Sequence, residues 1–175
     1  TPEALETLIT HIASQGFRFK PWQVAAYVTA LRTKPFVILA GISGTGKSKL
    51  PRLVADATQG ISQLVPVRPD WADSADLIGY VDLNGGFRAG SMLRFAERAS
   101  TSQAQSHVLI LDEMNLARVE QYFAEVLSAI EDRKPVPGRG GWTSREPLVG
   151  AMKDVAVDQG GLGFPANLAI VGTVN

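Results

Sequence analysis

The sequence predicts an α/β fold built on a mostly parallel sheet, and three observations support this. Apolar runs of strand length alternate along the chain with stretches that repeat apolar residues at helical spacing. The runs at 36–40, 108–111 and 168–171 are apolar at every position, as expected of strands that are buried on both faces. Such alternation is typical of crossover connections between parallel strands.

Composition limits the class of protein before any motif is considered. The 175 residues suit about one domain, and 45% apolar content can form an ordinary core. Lysine plus arginine equal aspartate plus glutamate at 17 each, so the chain lacks the basic excess typical of nucleic-acid binding. The absence of cysteine excludes disulfides and thiolate metal sites, and it fits a cytoplasmic protein. No apolar run is long enough to cross a membrane, so no membrane association is expected.

Residues 1–34 predict a helical lead-in. Apolar residues recur at helical spacing from Leu5 to Ile12, and a second helix is expected to open with Pro21. The second helix is expected to bury Trp22, Tyr27, Val28 and Leu31.

The next elements are a strand, a helix and a strand around a glycine-rich loop. The strand at 36–40 precedes the loop, and an amphipathic helix around 50–57 follows it. Pro51 lies about one turn into that helix, where it predicts a bend or an unusual first turn. A short strand at 64–67 contains Pro66, which favours an edge position in the sheet.

The second half repeats the same elements with two turn-rich interruptions. Asn84 and Gly85 predict a hairpin, and a short helix is expected to open near Ser91. After the strand at 108–111, apolar residues from 116 to 130 recur at helical spacing and predict one long helix. A turn-rich run at 135–147 separates this helix from the last buried strand at 168–171.

The loop AGISGTGKSKL at 40–50 matches the pattern G-x-x-x-x-G-K-[ST]. A strand before it and a helix after it are the context in which backbone N–H groups bind phosphates. The plainer alternative is a glycine turn between a strand and a helix. The predicted nucleotide-binding residues are Gly41, Ile42, Ser43, Gly44, Thr45, Gly46, Lys47, Ser48 and Lys49. Of these, Lys47 is expected to contact the β and γ phosphates, and Ser48 to bind Mg²⁺.

Two carboxylates follow the apolar strand in VLILDE. Asp112 is predicted to hold Mg²⁺, and Glu113 is predicted to act as a general base on the attacking water. The alternative is that the pair only caps a helix. The chain's last residue, Asn175, also follows a buried strand and is expected to orient the water, although a turn or cap asparagine is the simpler reading in isolation.

Four stretches together resemble an AAA+ P-loop NTPase of the McrB-like group, which is related to MoxR and dynein-type domains. They are GISGTGKS, VRPDWADSADLIGY, VLILDEMNLARVEQYFAEVLSAIE and NLAIVGTVN, and they cover about residues 36–175. The resemblance implies a three-layer core over 35–175, with a hairpin insertion around 132–166. It further implies that the chain is truncated after the sensor asparagine, so that the lid domain is absent and hydrolysis by this fragment alone is weak.

The resemblance also implies an activity and partners. These are Mg²⁺-dependent hydrolysis of ATP or GTP in a ring, usually a hexamer, with an McrC-like nuclease as possible partner in a restriction or defence system. DNA contact would then come only from regions outside this chain. The alternatives are a MoxR-type assembly or chaperone domain, in which hydrolysis only resets the ring, and a small-molecule kinase. The residues do not decide between ATP and GTP.

Overall fold

A computed structural model describes residues 1–136, 141–148 and 161–175, and it confirms the predicted α/β fold. The helices are α1 (Pro2–Ser14), α2 (Pro21–Thr33), α3 (Lys49–Ala57), α4 (Ser91–Thr101), α5 (Val119–Tyr122) and α6 (Ala124–Glu131). The strands are β1 (Phe36–Ala40), β2 (Ile61–Pro66), β3 (Gly79–Val81), β4 (Phe87–Ala89), β5 (His107–Asp112), β6 (Arg133–Pro135), β7 (Trp142–Ser144) and β8 (Leu168–Val174). Short 3-10 turns lie at Ser74–Asp76 and Met114–Leu116.

The main sheet has four parallel strands in the order β1-β8-β5-β2. β8 is a central strand: Ile170 lies opposite Phe36 of β1 on one side and opposite Leu109 of β5 on the other. β2 lies at an edge, which confirms the position that Pro66 favours, although the strand begins three residues earlier than predicted, at Ile61.

Alternate residues of the central strands enter two separate hydrophobic clusters. Leu109, Leu111 and Ile170 face the cluster that includes residues of α4, α5 and α6. Val108, Ile110 and Val171 face the cluster that includes residues of α1, α2 and α3. Because successive side chains of a strand point to opposite faces, helices cover both sides of the sheet and form the predicted three layers.

The lead-in helices form as predicted, but one of their expected core residues is exposed. Tyr27 is buried and Val28 packs at the edge of the cluster, whereas Trp22 is 64% exposed. Val24 and Tyr27 define the buried face of α2, and Trp22 lies on the opposite side of the helix. The prediction that Trp22 is buried was therefore wrong, because the apolar residues of α2 do not form one stripe.

Pro51 lies nearer the start of α3 than the one turn that the sequence predicts. The helix starts at Lys49, so Pro51 is its third residue, where an N–H has no partner within the helix. Lys49 N and Leu50 N both donate to Gly46 O at 3.0 Å, which closes the turn before the proline. Pro51 therefore lies in the first turn of α3, where its missing N–H removes no hydrogen bond of the helix.

The long helix predicted after Leu116 is wrong in detail, because the chain forms α5 and α6 with a break at Phe123. Tyr122 and Phe123 are both buried and adjacent in sequence, yet their rings pack against different elements. The Tyr122 ring packs on Trp71 at 5.3 Å between centroids, and the Phe123 ring packs on Phe36 at 4.9 Å. Tertiary packing of two neighbouring aromatic rings has overridden the helical pattern.

Outside the main sheet, the described residues form two antiparallel strand pairs. β3 and β4 pair around the predicted Asn84-Gly85 turn. Asp82 accepts hydrogen bonds from the backbone of Gly86 at 2.9 Å and Asn84 at 3.0 Å, and these bonds together with Arg88 lower the pKa of its carboxyl group. β6 and β7 pair within the range 132–166, while 137–140 and 149–160 lie outside the described residues.

Two identical substitutions test where the core lies. Leu109 is fully buried in β5, so Leu109→Ala should lower the free energy of unfolding by about 2–5 kcal/mol through lost burial and a cavity. Leu83 is fully exposed at the β3–β4 turn, so Leu83→Ala should change it by less than about 0.5 kcal/mol. Urea unfolding followed by circular dichroism measures both. Equal effects of the two substitutions would contradict this assignment of the core.

Candidate functional site

Three strand ends converge at one edge of the main sheet. Because β1, β8 and β5 are parallel, their carboxyl ends meet there, and β8 lies between the other two. A cavity of about 340 Å³ opens at this edge. Its lining residues are Ser43, Gly44, Gly46, Lys47, Ser48, Lys49, Arg52, Leu64, Asp112, Glu113, Thr173 and Asn175.

The glycine loop connects β1 to α3 and has a conformation that requires glycine at two positions. Gly44 and Gly46 have φ angles of +80° and +83°, in the left-handed region that residues with a Cβ rarely adopt. A Cβ on Gly46 would also approach the Phe19 ring to 3.1 Å. At the start of the loop, Gly41 N donates to Val174 O at 3.2 Å, which ties the loop to β8.

The ammonium group of Lys47 is held at the centre of the loop by three oxygens. Its Nζ donates to Gly41 O at 2.7 Å, to Ile42 O at 2.8 Å and to Asn175 Oδ1 at 2.9 Å. The loop therefore wraps around its own lysine, and the lysine contacts the residue that follows β8. Each of these acceptors is uncharged, so the positive charge of Lys47 is solvated by the loop and is not neutralised by it.

Asp112, the last residue of β5, accepts two hydroxyl hydrogen bonds on one oxygen. Ser48 Oγ donates a short hydrogen bond to Asp112 Oδ1, and Thr173 Oγ1 donates to the same oxygen at 2.8 Å. The lone pairs of Ser48 Oγ remain available beside the carboxylate. The Ser48–Asp112 contact joins the end of the glycine loop to the end of β5.

Glu113 follows Asp112 with an unusual backbone. Its φ and ψ of 53° and 51° are left-handed, which is uncommon for a residue other than glycine. Glu113 N donates to Thr173 Oγ1 at 3.0 Å, and Glu113 Oε1 accepts from Asn175 Nδ2 at 3.3 Å. Asn175 therefore contacts Lys47 through its oxygen and Glu113 through its nitrogen.

The structure places most of the predicted site residues around this cavity, including Lys47, Ser48, Asp112, Glu113 and Asn175. Gly41, Ile42 and Thr45 are outside its lining. Gly41 and Ile42 contribute the carbonyls that bind Lys47, and Thr45 Oγ1 donates to Ile42 O at 2.8 Å. These three residues shape the loop.

Three lining residues were not predicted from the sequence: Thr173, Arg52 and Leu64. Arg52 lies one helical turn after Ser48, so helical spacing alone could have identified it. Thr173 precedes Asn175 by two residues and shares its side of β8, so strand alternation was an available indication. Leu64 lies on β2, and only the strand order places it near the site.

The residues present fit a magnesium ion bound together with a phosphate. Ser48 and Asp112 put a hydroxyl and a carboxylate oxygen side by side at the cavity, and Mg²⁺ prefers such oxygen ligands. The described ranges contain no cluster of three or more histidine, cysteine, aspartate or glutamate residues that could hold a metal. Mg²⁺ in phosphate sites commonly takes one or two protein ligands and completes its shell with phosphate oxygens and water.

Here a glycine loop connects parallel strand β1 to helix α3, a lysine and a serine lie at its end, and the Asp112 carboxylate lies two strands away at the end of β5. This arrangement defines the class of P-loop nucleotide-binding proteins. The family model for the AAA domain (dynein-related subfamily) matches residues 36–175, and the chain belongs to this family. Membership supports nucleotide binding and ATPase activity in general, and AAA domains commonly assemble into rings. A search of curated proteins found no match.

Within the described part of the chain, no helix is long and apolar enough to cross a membrane.

The conformation of Gly46 gives a test of the loop. Gly46→Ala forces a Cβ into a left-handed position against Phe19, so we expect it to weaken ATP or GTP binding about tenfold or more. Gly85→Ala is the matched control, because Gly85 has a φ of +79° with open space around it at the β3–β4 turn. Calorimetry with Mg²⁺ should show unchanged nucleotide affinity for the control. Unchanged affinity for Gly46→Ala would show that this loop conformation is not needed for binding.

Proposed function

We propose that the chain binds a magnesium–nucleoside triphosphate, ATP or GTP, and hydrolyses its terminal phosphate. One observation supports this above all others: a single cavity brings together the Lys47 ammonium, the Ser48–Asp112 oxygen pair, the Glu113 carboxylate and the Asn175 amide. Each has a distinct use in phosphoryl transfer to water.

The glycine loop is the proposed phosphate site. Residues 43, 44 and 46–48 line the cavity before the start of α3, where unpaired backbone N–H groups and the helix dipole favour negative charge. Lys47 Nζ would exchange its contact with Asn175 Oδ1 for phosphate oxygens. Its bonds to Gly41 and Ile42 would keep the ammonium in place during that exchange.

Ser48 and Asp112 are the proposed magnesium ligands. The Ser48 hydroxyl donates its hydrogen bond to Asp112, so the lone pairs of Ser48 Oγ can face a cation. When bound, the magnesium ion would neutralise charge on the phosphate oxygens. Asp112 contributes a carboxylate that is already oriented by two hydroxyl groups.

Glu113 is the proposed general base, and Asn175 positions it. A water would attack the γ-phosphorus while its proton passes to a Glu113 carboxylate oxygen, and the bond from the γ-phosphorus to the β–γ bridging oxygen would break. Asn175 Nδ2 donates to Glu113 Oε1, so Glu113 Oε2 remains available for the water proton. Asn175 thereby links the phosphate-binding lysine to the base.

For the intact protein we propose a motor that assembles into a ring, which is a hexamer in most proteins of this group. We propose that it is of the McrB-like type and acts in a restriction or defence system. An McrC-like nuclease subunit would be its partner, and its location would be cytoplasmic. With 17 basic and 17 acidic residues this chain has no basic excess for binding DNA phosphates, so we propose that DNA contact is made by other parts of the intact protein. The same site would also serve a MoxR-type assembly domain, because the dynein-related family match favours neither role.

The general base can be tested by one substitution and a matched control. Glu113→Gln keeps the shape of the side chain and cannot accept the proton, so hydrolysis should fall about 10²- to 10⁴-fold while nucleotide affinity stays within a few fold. Glu120→Gln changes an exposed glutamate on α5 and should leave both unchanged. Phosphate release and calorimetry measure the two quantities. Full hydrolysis by Glu113→Gln would exclude Glu113 as the base.

The same variant separates a motor from an assembly domain. In the full-length protein, Glu113→Gln should still form nucleotide-dependent rings, measured by light scattering, because binding is retained. If hydrolysis drives the output, the variant should fail to support DNA cleavage by the partner nuclease. A variant that assembles and supports full cleavage would exclude the motor and leave nucleotide-gated assembly. Calorimetry of ATP binding and of GTP binding, measured in parallel, would identify which nucleobase, adenine or guanine, the protein prefers.

A further inference from the structure

The hydroxyl of Thr173 occupies a position between the two proposed acidic residues of the site. Thr173 is 2% exposed, one of the few buried polar side chains in the described part of the chain. Its Oγ1 donates to Asp112 Oδ1 at 2.8 Å and accepts from Glu113 N at 3.0 Å. One hydroxyl of β8 thus hydrogen-bonds both a carboxylate oxygen at the end of β5 and the backbone N–H of the next residue.

The backbone at Glu113 needs such an external partner. A left-handed conformation is unfavourable for glutamate and persists only where surrounding contacts hold it. Thr173 binds the N–H of Glu113, and Tyr122 OH donates to Met114 O at 2.8 Å on the following residue. The Met114 side chain also packs against Gly172, where a Cβ would collide with it. Strand β8 therefore contacts this turn at two successive residues.

The orientation of the turn decides where both acidic side chains point. With Glu113 in this conformation, its carboxylate reaches Asn175 at the cavity, while Asp112 reaches Ser48. A regular extended continuation of β5 would send successive side chains to opposite faces of the sheet. The turn is what allows neighbouring residues to line one cavity.

We propose that Thr173 is a positioning residue whose hydroxyl sets the Asp112 carboxylate and the Glu113 backbone relative to each other. This inference rests on the proposed function, because it assigns Thr173 to the alignment of the magnesium ligand and the general base. This role requires a side-chain atom at position 173 that both donates and accepts a hydrogen bond. Serine can supply both, and valine supplies neither although it has nearly the shape of threonine.

Two substitutions distinguish the hydroxyl from the packing of the side chain. Thr173→Val should lower kcat about ten- to hundredfold with a smaller change in KM, and Thr173→Ser should stay within about threefold of wild type. Calorimetry with a non-hydrolysable triphosphate analogue gives a second measurement. Thr173→Val should require about tenfold more Mg²⁺ for half-maximal binding, while binding without Mg²⁺ stays unchanged.

Each outcome bears on the proposal. Wild-type values of kcat and Mg²⁺ requirement in Thr173→Val would overturn it, and so would equal losses in Thr173→Ser and Thr173→Val, since packing would then explain both. If Thr173→Val fails to fold by circular dichroism, Thr173→Ala replaces it and must show the same loss relative to Thr173→Ser. A full-length wild-type protein that hydrolyses neither ATP nor GTP would overturn the proposed function. The magnesium titration would still test Thr173, because it requires only binding.

Discussion

The simultaneous pairing of β8 with β1 and β5 is the constraint on which the site depends. Neighbouring strands lie about 4.8 Å apart, so residues at the ends of three adjacent parallel strands are within side-chain reach of one another. β8 brings Thr173 and Asn175 to the gap between the glycine loop after β1 and the carboxylates after β5. If β5 were paired directly with β1, the ends of those strands would meet without the amide and hydroxyl that now join them.

Three charged side chains at the cavity, Lys47, Asp112 and Glu113, are hydrogen-bonded by neutral partners, and this has a consequence for ligand binding. Lys47 is held by two carbonyls and an amide oxygen, Asp112 by two hydroxyls, and Glu113 by an amide. The salt bridges of the described residues, such as Lys34–Glu131 and Arg88–Asp82, lie away from this cavity. A direct pair between Lys47 and a carboxylate would have to break before a phosphate could bind. Neutral partners keep the charges oriented and leave them available.

The sequence predicted the local elements and most of the candidate site, because both are encoded over short distances. The loop pattern, the apolar strand before Asp112 and the strand before Asn175 each lie within about ten residues. The order of the strands in the sheet is not encoded over short distances. Without that order, the sequence does not show that Thr173 contacts Asp112 and Glu113. The break at Phe123 was missed for the same reason, since it depends on which neighbours the Tyr122 and Phe123 rings meet. The exposure of Trp22 follows instead from its position on α2, opposite the face that buries Val24 and Tyr27.

The lead-in helices share a hydrophobic cluster with the helix that follows the glycine loop. Ile12 of α1 and Val24 of α2 pack in one cluster with Leu50 and Leu53 of α3. Between α1 and α2, the Phe19 ring lies where a Cβ on Gly46 would approach it to 3.1 Å, and Lys49 Nζ lies 4.8 Å from the centroid of the Phe17 ring. Close-packed interiors transmit small displacements. The segment that joins the two lead-in helices therefore packs close to the glycine loop, and a displacement of Gly46 toward Phe19 would press on this half-buried ring.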